Sequence, residues 1–141
     1  MKHIVFVLGS YHPYYSAVSI CVKSIINEIS KKHQVSVICC KNTYTQLDKE
    51  IIDNVNIIRA SSKINNFRNK MQFLLSTTYG IKKYLLIIIL NLIRVFRYMS
   101  ALILRVNVQW DLVNIYEKSL IDLHKTSNID VVIPCCFTIE G

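Results

Sequence analysis

The sequence predicts an α/β fold in which helices cover both faces of a parallel sheet. Three observations support this prediction. Short apolar runs rich in β-branched residues alternate with longer stretches of helical periodicity. The chain has 141 residues, enough for one domain with a sizeable core. Its composition, 52% hydrophobic with 3 Gly and 2 Pro, excludes a disordered or collagen-like chain.

The first part of the chain has the pattern of a strand, a helix and a second strand. Residues 2–8 read KHIVFVL, a continuous apolar run typical of a buried parallel strand. Helical periodicity predicts an amphipathic helix over Ala17–Lys31, with Ser16 as its N-cap. The run VSVICC at 35–40 predicts the second strand, so the unit is a right-handed βαβ crossover. The positions expected to form the apolar stripe of this helix are Val18, Cys21, Ile25 and Ile29.

The second part of the chain predicts two more strands and three helices. A third strand is expected over residues 55–59. Residues 67–108 are helical in character and should break into two helices near Thr77–Gly80, where β-branched residues and glycine weaken a helix. Another helix is expected over Asp111–Thr126, and Asp130–Pro134 predicts the fourth strand. The residues of that last helix expected to be buried are Leu112, Ile115, Leu120 and Leu123.

This alternation is typical of a Rossmann-like sheet, and it predicts where a ligand would bind. In the usual order the fourth strand returns to lie beside the first on its free side. The topological switch point then lies between the loops 9–16 and 135–141, and ligands of open α/β sheets bind in such crevices.

The cysteines predict neither disulfides nor a metal site. Their number, 5, is odd, and four of them form two adjacent pairs, 39–40 and 135–136. Neither pair has the spacing of a zinc site, and no histidine lies at a ligand spacing from them. We therefore expect reduced thiols that act as small hydrophobic side chains near strand ends, and neither a metal nor a cofactor.

The positive charge is concentrated in one segment. The formal net charge is +8, yet no acidic residue occurs between Asp53 and Asp111. A local basic segment indicates a local anionic partner. The basic residues of this stretch are Arg59, Lys63, Arg68, Lys70, Lys82, Lys83, Arg94, Arg97 and Arg105.

Within that stretch, residues 80–106 form a basic amphipathic helical segment. Its most apolar part reads YLLIIILNLIRVFRYMSALIL. On a helical wheel, about a quarter of the circumference holds four of the basic residues, Lys83, Arg94, Arg97 and Arg105. This pattern favours a helix at an anionic membrane interface, and a helix packed on the sheet with solvated arginines is the alternative. Nucleic acid is not expected as a partner, because the charges are embedded among Leu and Ile. The residues expected to contact the membrane are Lys82, Lys83, Arg94, Arg97 and Arg105.

The opening MKHIVFVLGSYHPYYSAVSICVKSIINEISKKHQVSVIC resembles the start of the family 4 glycosyltransferases of the GT-B type. The shared features are a strand, a loop with a proline, a long helix and a His-x-Val-x-Val second strand, here starting at His33. The later segment IDVVIPCCFTIEG is similar to the family's Asp-Val-Ile strand and acceptor loop. The chain departs from the family at 14–17, where Tyr-Tyr-Ser-Ala replaces Gly-Gly, and at 135–136, where two cysteines stand in the place of a histidine.

The resemblance implies the acceptor-side, N-terminal half of a GT-B fold, whose partner half binds a nucleotide-sugar donor. The expected reaction is sugar transfer to a glycan or lipid-linked acceptor in cell-surface polysaccharide synthesis. We expect a truncated, cytoplasmic fragment of such an enzyme, inactive alone, at the inner face of the cell membrane, with a separate donor-binding half as its partner. The alternative is a non-catalytic, membrane-peripheral accessory protein that retains the fold. No catalytic residue is assigned, and the expected acceptor-binding residues are Ser10, His12, Tyr14, Ser16, Phe137 and Glu140.

Overall fold

A computed structural model describes the backbone of residues 1–105 and 110–135 and the side chains of residues 1–105 and 112–135. Its elements alternate between strands and helices, as the sequence predicts. In chain order they are β1 (His3–Val7), α1 (Ala17–Ser30), β2 (Gln34–Cys40), β3 (Lys49–Ile52), β4 (Val55–Ala60), α2 (Lys63–Thr77), α3 (Ile81–Leu104), α4 (Trp110–Thr126) and β5 (Val131–Pro134).

The sheet has five strands in the order β3-β4-β2-β1-β5, and it is mixed rather than parallel. The four predicted strands are mutually parallel, with β2 and β5 on either side of β1. The prediction of a purely parallel sheet is wrong because β3 forms an antiparallel hairpin with β4. The two-residue turn of this hairpin has positive φ at Asp53 (50°) and Asn54 (64°). Such φ values match the twist of a tight hairpin, and Asp and Asn tolerate them.

Helices cover both faces of the sheet, as predicted. On one face α1 packs over Phe6, Val37 and Ile57, and on the other α4 packs over Val5 and Ile38. The side chains predicted to be buried on α4 are fully or partly buried, and Tyr116 joins them. The described residues thus have two apolar layers, one on each side of the sheet.

The buried stripe of α1 includes the predicted Val18 and Ile29, which pack against the core, and differs from the prediction at the other two positions. Ser16 is the N-cap, as predicted, since its Oγ accepts a hydrogen bond from the Ser19 amide at 3.2 Å. However, Cys21 is exposed and Ile25 is 54% exposed, while Ser19 and Ile26 are fully buried. The stripe contains a serine whose hydroxyl donates to the Ser16 carbonyl, so it needs no other partner. An apolar pattern could not reveal a stripe that includes this serine.

The long helical region breaks at the predicted place and forms a hairpin of α2 and α3. Thr78 is extended and Gly80 has a φ of 71°, which ends α2 and allows the chain to reverse. The start of α2 is tied to the sheet, because the buried Asn65 and Asn69 both donate to the carbonyl of Lys41, at 3.0 and 2.9 Å. α3 packs against α2, while α1 and α4 cover the sheet.

Candidate functional site

The carboxyl ends of β1 and β5 lie side by side, which places the switch point where the sequence predicts it. The two strands pair in parallel from Ile4 opposite Val131 to Val7 opposite Pro134. The chain after β1 runs toward β2 on one side, whereas β5 joins β1 on the other side. A crevice at this edge is where open α/β sheets bind ligands. One wall is the loop 9–16; its counterpart after Cys135 lies outside the described residues.

A buried arginine of β4 supports the loop 9–16 from below. The side chain of Arg59 is 1% exposed, and its Nη2 donates to the carbonyl of His12 at 2.7 Å. Its Nη1 donates to the carbonyl of Leu47 at 2.8 Å, and the guanidinium also forms an ion pair with Glu50 on β3. One side chain therefore connects β4, β3 and the loop. Sequence reasoning missed this role, although a single arginine inside the apolar strand VNIIRA was a usable signal.

Aromatic side chains stiffen the same loop. Tyr11 is buried in the core and meets the ring of Tyr15 edge-on at 5.4 Å between centroids. Tyr15 also meets His12 edge-on at 6.0 Å, and Lys23 of α1 lies over its ring at 4.7 Å. Burial raises the pKa of Tyr11 to about 12, so its hydroxyl stays protonated at neutral pH. The loop is thereby held by packing as well as by Arg59.

The predicted acceptor-binding residues fall into three groups. Ser10 and His12 are partly exposed and Tyr14 is 52% exposed, so polar atoms of this loop can reach a ligand. His12 Nδ1 lies 3.8 Å from Glu50 Oε1, which places a carboxylate beside the imidazole. The Ser16 hydroxyl serves the start of α1, since it accepts from Ser19 N and donates to Ser19 Oγ. Two further predicted residues, Phe137 and Glu140, lie outside the described residues.

This arrangement suits the binding of a neutral polar ligand. Imidazole, phenol and hydroxyl groups can donate and accept hydrogen bonds without a fixed charge, as recognition of sugar hydroxyls requires. Among the residues whose side chains are described, no group of three or more His, Cys, Asp or Glu is placed to hold a metal ion. Glu50 is engaged by Arg59, so the nearby carboxylate has a structural partner.

A second surface, remote from this loop in the sequence, is the exposed side of α3. Within the described residues, α3 is the one helix long and apolar enough to cross a membrane, and only 11% of its most apolar stretch is buried. We call its exposed hydrophobic side chains the apolar face of α3. They include Leu85, Ile88, Leu92, Val95, Phe96, Met99, Leu102 and Ile103, and Leu102 is 73% exposed.

The predicted membrane-contacting residues are spread along α3. Lys82 and Lys83 are exposed in its first turn, and Arg105 ends the helix with a φ of 52°. Arg94 is exposed and Arg97 half-buried, and both line the same groove. At 1.5 Å per residue, the lysines lie about 17 to 18 Å from Arg94 along the helix axis. The structure thus brings two of the five residues together and leaves the other three at the helix ends.

No protein family, curated protein sequence or solved structure matches this chain.

Proposed function

We propose that this chain is the acceptor-side domain of a glycosyltransferase of the GT-B type. In this proposal a sugar moves from a nucleotide-sugar donor to a glycan or lipid-linked acceptor, and this domain holds the acceptor. The observation that carries the proposal is the stiff loop 9–16, which presents a partly exposed His12 and an exposed Tyr14 at the switch point of the sheet. The resemblance of the opening segment and of the last strand to the family supports the same assignment.

In this proposal the residues of the loop and of β4 have different roles. Ser10, His12 and Tyr14 hydrogen-bond acceptor hydroxyls, and Arg59 positions the loop through the carbonyl of His12. The donor is held by a second, donor-binding domain, whether on the same polypeptide or on a separate one. Because Tyr-Tyr-Ser-Ala replaces the glycine pair at 14–17, donor phosphates are not expected to approach the backbone of this loop.

The apolar face of α3 supports the proposal that this domain acts at a membrane surface. Embedding this face in a bilayer boundary would remove from water a row of side chains that are at least half exposed in the structure. An interfacial position suits the helix better than a spanning one. Arg94 and Arg97 lie near its middle, and each would cost about 2.5 to 3.5 kcal/mol at the centre of a bilayer.

Acceptor binding can be tested by NMR on the 15N-labelled chain in lipid bicelles. Titration with methyl glucoside, methyl galactoside and N-acetylglucosamine should shift the amides of Ser10, His12 and Tyr14 for at least one sugar. The double variant His12→Ala/Tyr14→Ala should lose these shifts. Tyr79→Ala, which removes a still more exposed tyrosine between α2 and α3, should keep them. If no sugar moves the loop amides, acceptor binding by this loop is refuted.

The alternative, a non-catalytic membrane-peripheral accessory protein, is favoured by the same exposed helix. It differs in one measurable respect, since it needs no sugar at the loop. Binding to anionic vesicles without any sugar response in the NMR titration would support the accessory protein over the glycosyltransferase domain.

A further inference from the structure

α3 carries an unbroken apolar seam with the spacing of a coiled coil. Apolar residues stand at alternating intervals of four and three along the helix, and each of their side chains is at least half exposed, from 50% at Met99 to 81% at Ile81. The contact positions of coiled coils have this spacing. We call these residues the seam of α3; they are Ile81, Leu85, Ile88, Leu92, Val95, Met99 and Leu102.

The opposite side of α3 is already used by its packing on α2. Leu86, Leu90 and Ile93 are partly buried on that side, and Ala101 is buried. α3 is therefore apolar on two sides, which is typical of a helix that is covered all round. The structure covers one of these sides and leaves the seam in contact with water.

The seam and the large side chains beside it form a surface of the size that a stable dimer needs. Tyr84, Phe96 and Ile103 lie next to the seam and are also more than half exposed. Covering them together with the seam would remove on the order of 1,000 Å² from each copy, against about 800 Å² per partner in a typical stable interface. The largest apolar patch on an ordinary monomer is only about 300 to 600 Å².

An apolar groove between the two helices continues the seam toward α2. Phe67 of α2 and Leu92 and Phe96 of α3 line this groove, and its volume is about 440 Å³. A cavity of about 150 Å³ holds a benzene ring, so the groove has room for more than one side chain of a second helix. Packed helices fit together in this way, with the side chains of one helix in the grooves of the other.

The positions beside the seam carry no charge that would select a different partner. In coiled coils these positions are often charged, and their charges determine which partner is bound. In α3 the charged residues of such positions lie only at the two ends, at Lys82 and Arg105. An uncharged seam suits its own copy, because a two-fold axis brings the same surface to both sides of the contact. The flanking positions within the helix hold Tyr84, Ile89, Asn91, Phe96, Tyr98 and Ile103.

We propose that, in the absence of lipid, two copies of this chain pair through the seams of α3 and form a bundle of two α2–α3 hairpins. Each seam covers the other, and side chains of each copy enter the apolar groove beside Phe67. The bilayer proposed above would cover the same seam, so a membrane surface and the second copy compete for it. The inference goes beyond the proposed function and does not depend on sugar binding at the loop 9–16.

Sedimentation velocity of the whole chain in lipid-free buffer tests the pairing. At micromolar concentrations and above, the wild type should sediment as a dimer with twice the 16.4 kDa mass of the chain. The seam variant Leu85→Gln/Leu102→Gln should sediment as a monomer. Its dimer affinity should fall by about tenfold or more for each leucine that the dimer loses. Glutamine keeps the net charge and favours a helix about as well as leucine does.

A matched variant separates the seam from general loss of apolar surface. Ile87→Gln/Leu104→Gln removes two exposed apolar side chains from the same helix, at positions outside the seam. This control variant should remain a dimer with the affinity of the wild type. Far-UV circular dichroism checks that both variants keep their helices, as expected because the substituted side chains are exposed in the single chain.

Two results would overturn the inference. In the first, the wild type is a monomer at every concentration, and binding of that monomer to anionic vesicles would then leave the seam to the bilayer. In the second, the seam variant and the control variant keep the dimer equally well or lose it equally. Failure of the proposed function looks different, because the loop amides then do not respond to sugars while the pairing of the two copies is unaffected.

Discussion

Replacing Arg59 by methionine tests whether one buried side chain holds the candidate crevice together. Arg59 is 1% exposed and bonds the carbonyls of His12 and Leu47, while Glu50 faces it with 24% of its side chain exposed. Methionine keeps much of the aliphatic volume and removes every one of these bonds. The loop 9–16 then loses the support that connects it to β4.

The burial of Arg59 determines how much stability the substitution removes. Removing one partner of a buried ion pair costs about 3 to 5 kcal/mol, because the other charge and the bonded carbonyls are left without partners. Glu50 is a quarter exposed and can turn toward water, so we expect the lower end, about 3 kcal/mol. Domains of this kind have a free energy of unfolding of about 5 to 15 kcal/mol, so the loss is a large share of it.

Urea unfolding followed by far-UV circular dichroism measures this loss as a lower midpoint. The matched control is Lys31→Met, which breaks the ion pair with Glu28 on the surface of α1, where the two side chains are 64% and 72% exposed. Exposed pairs contribute about 0 to 1 kcal/mol, so the control midpoint should barely move. Equal losses for Arg59→Met and Lys31→Met would refute the structural role assigned to Arg59.

Three further predictions concern single side chains. Ser16→Ala removes the N-cap of α1 and should lower the free energy of unfolding by about 1 kcal/mol, measured by urea unfolding against Ser24→Ala, an exposed serine later in the same helix. At neutral pH iodoacetamide should modify the exposed Cys21 in the native protein but not Cys39, whose pKa burial raises to about 12; peptide mass spectrometry showing equal modification of both would contradict this. Stability should also fall as pH rises through about 9 to 12, because the raised pKa values of Cys39 and Tyr11 keep both groups neutral in the folded state while the unfolded chain ionises; a urea midpoint unchanged between pH 8 and pH 11 would refute it.

Much of the fold could be predicted because the apolar runs and the breaks between them are unambiguous. The four parallel strands, the three later helices and the return of β5 beside β1 follow from such runs and from the usual order of these sheets. β3 was not predicted, because Lys49–Ile52 is short, half polar and at the edge of the sheet, where one exposed side lowers the apolar signal. Its turn at Asp53 and Asn54 was the available clue.

The candidate loop and the groove lined by Arg94 and Arg97 were less predictable, because both depend on contacts between distant parts of the chain. The loop 9–16 was located from topology alone, whereas the support from Arg59 spans 47 residues of sequence. Similarly, Arg94 and Arg97 were expected to face a membrane, but Arg68 joins them only through the packing of α2 on α3. Sequence periodicity describes one helix or strand at a time, so it cannot predict a groove that forms where two helices pack together.

The bonds from Asn65 and Asn69 to the Lys41 carbonyl determine how the sheet would be oriented on a surface. Lys41 directly follows β2, at the same edge of the sheet as the loop 9–16, and β2 is about 4.8 Å from β1. A bilayer that holds the hairpin would therefore hold that edge near the lipid through two side-chain amides. Under the proposed function, the crevice would then open toward the headgroups, and an acceptor tethered to lipid would not need to leave the membrane to be bound.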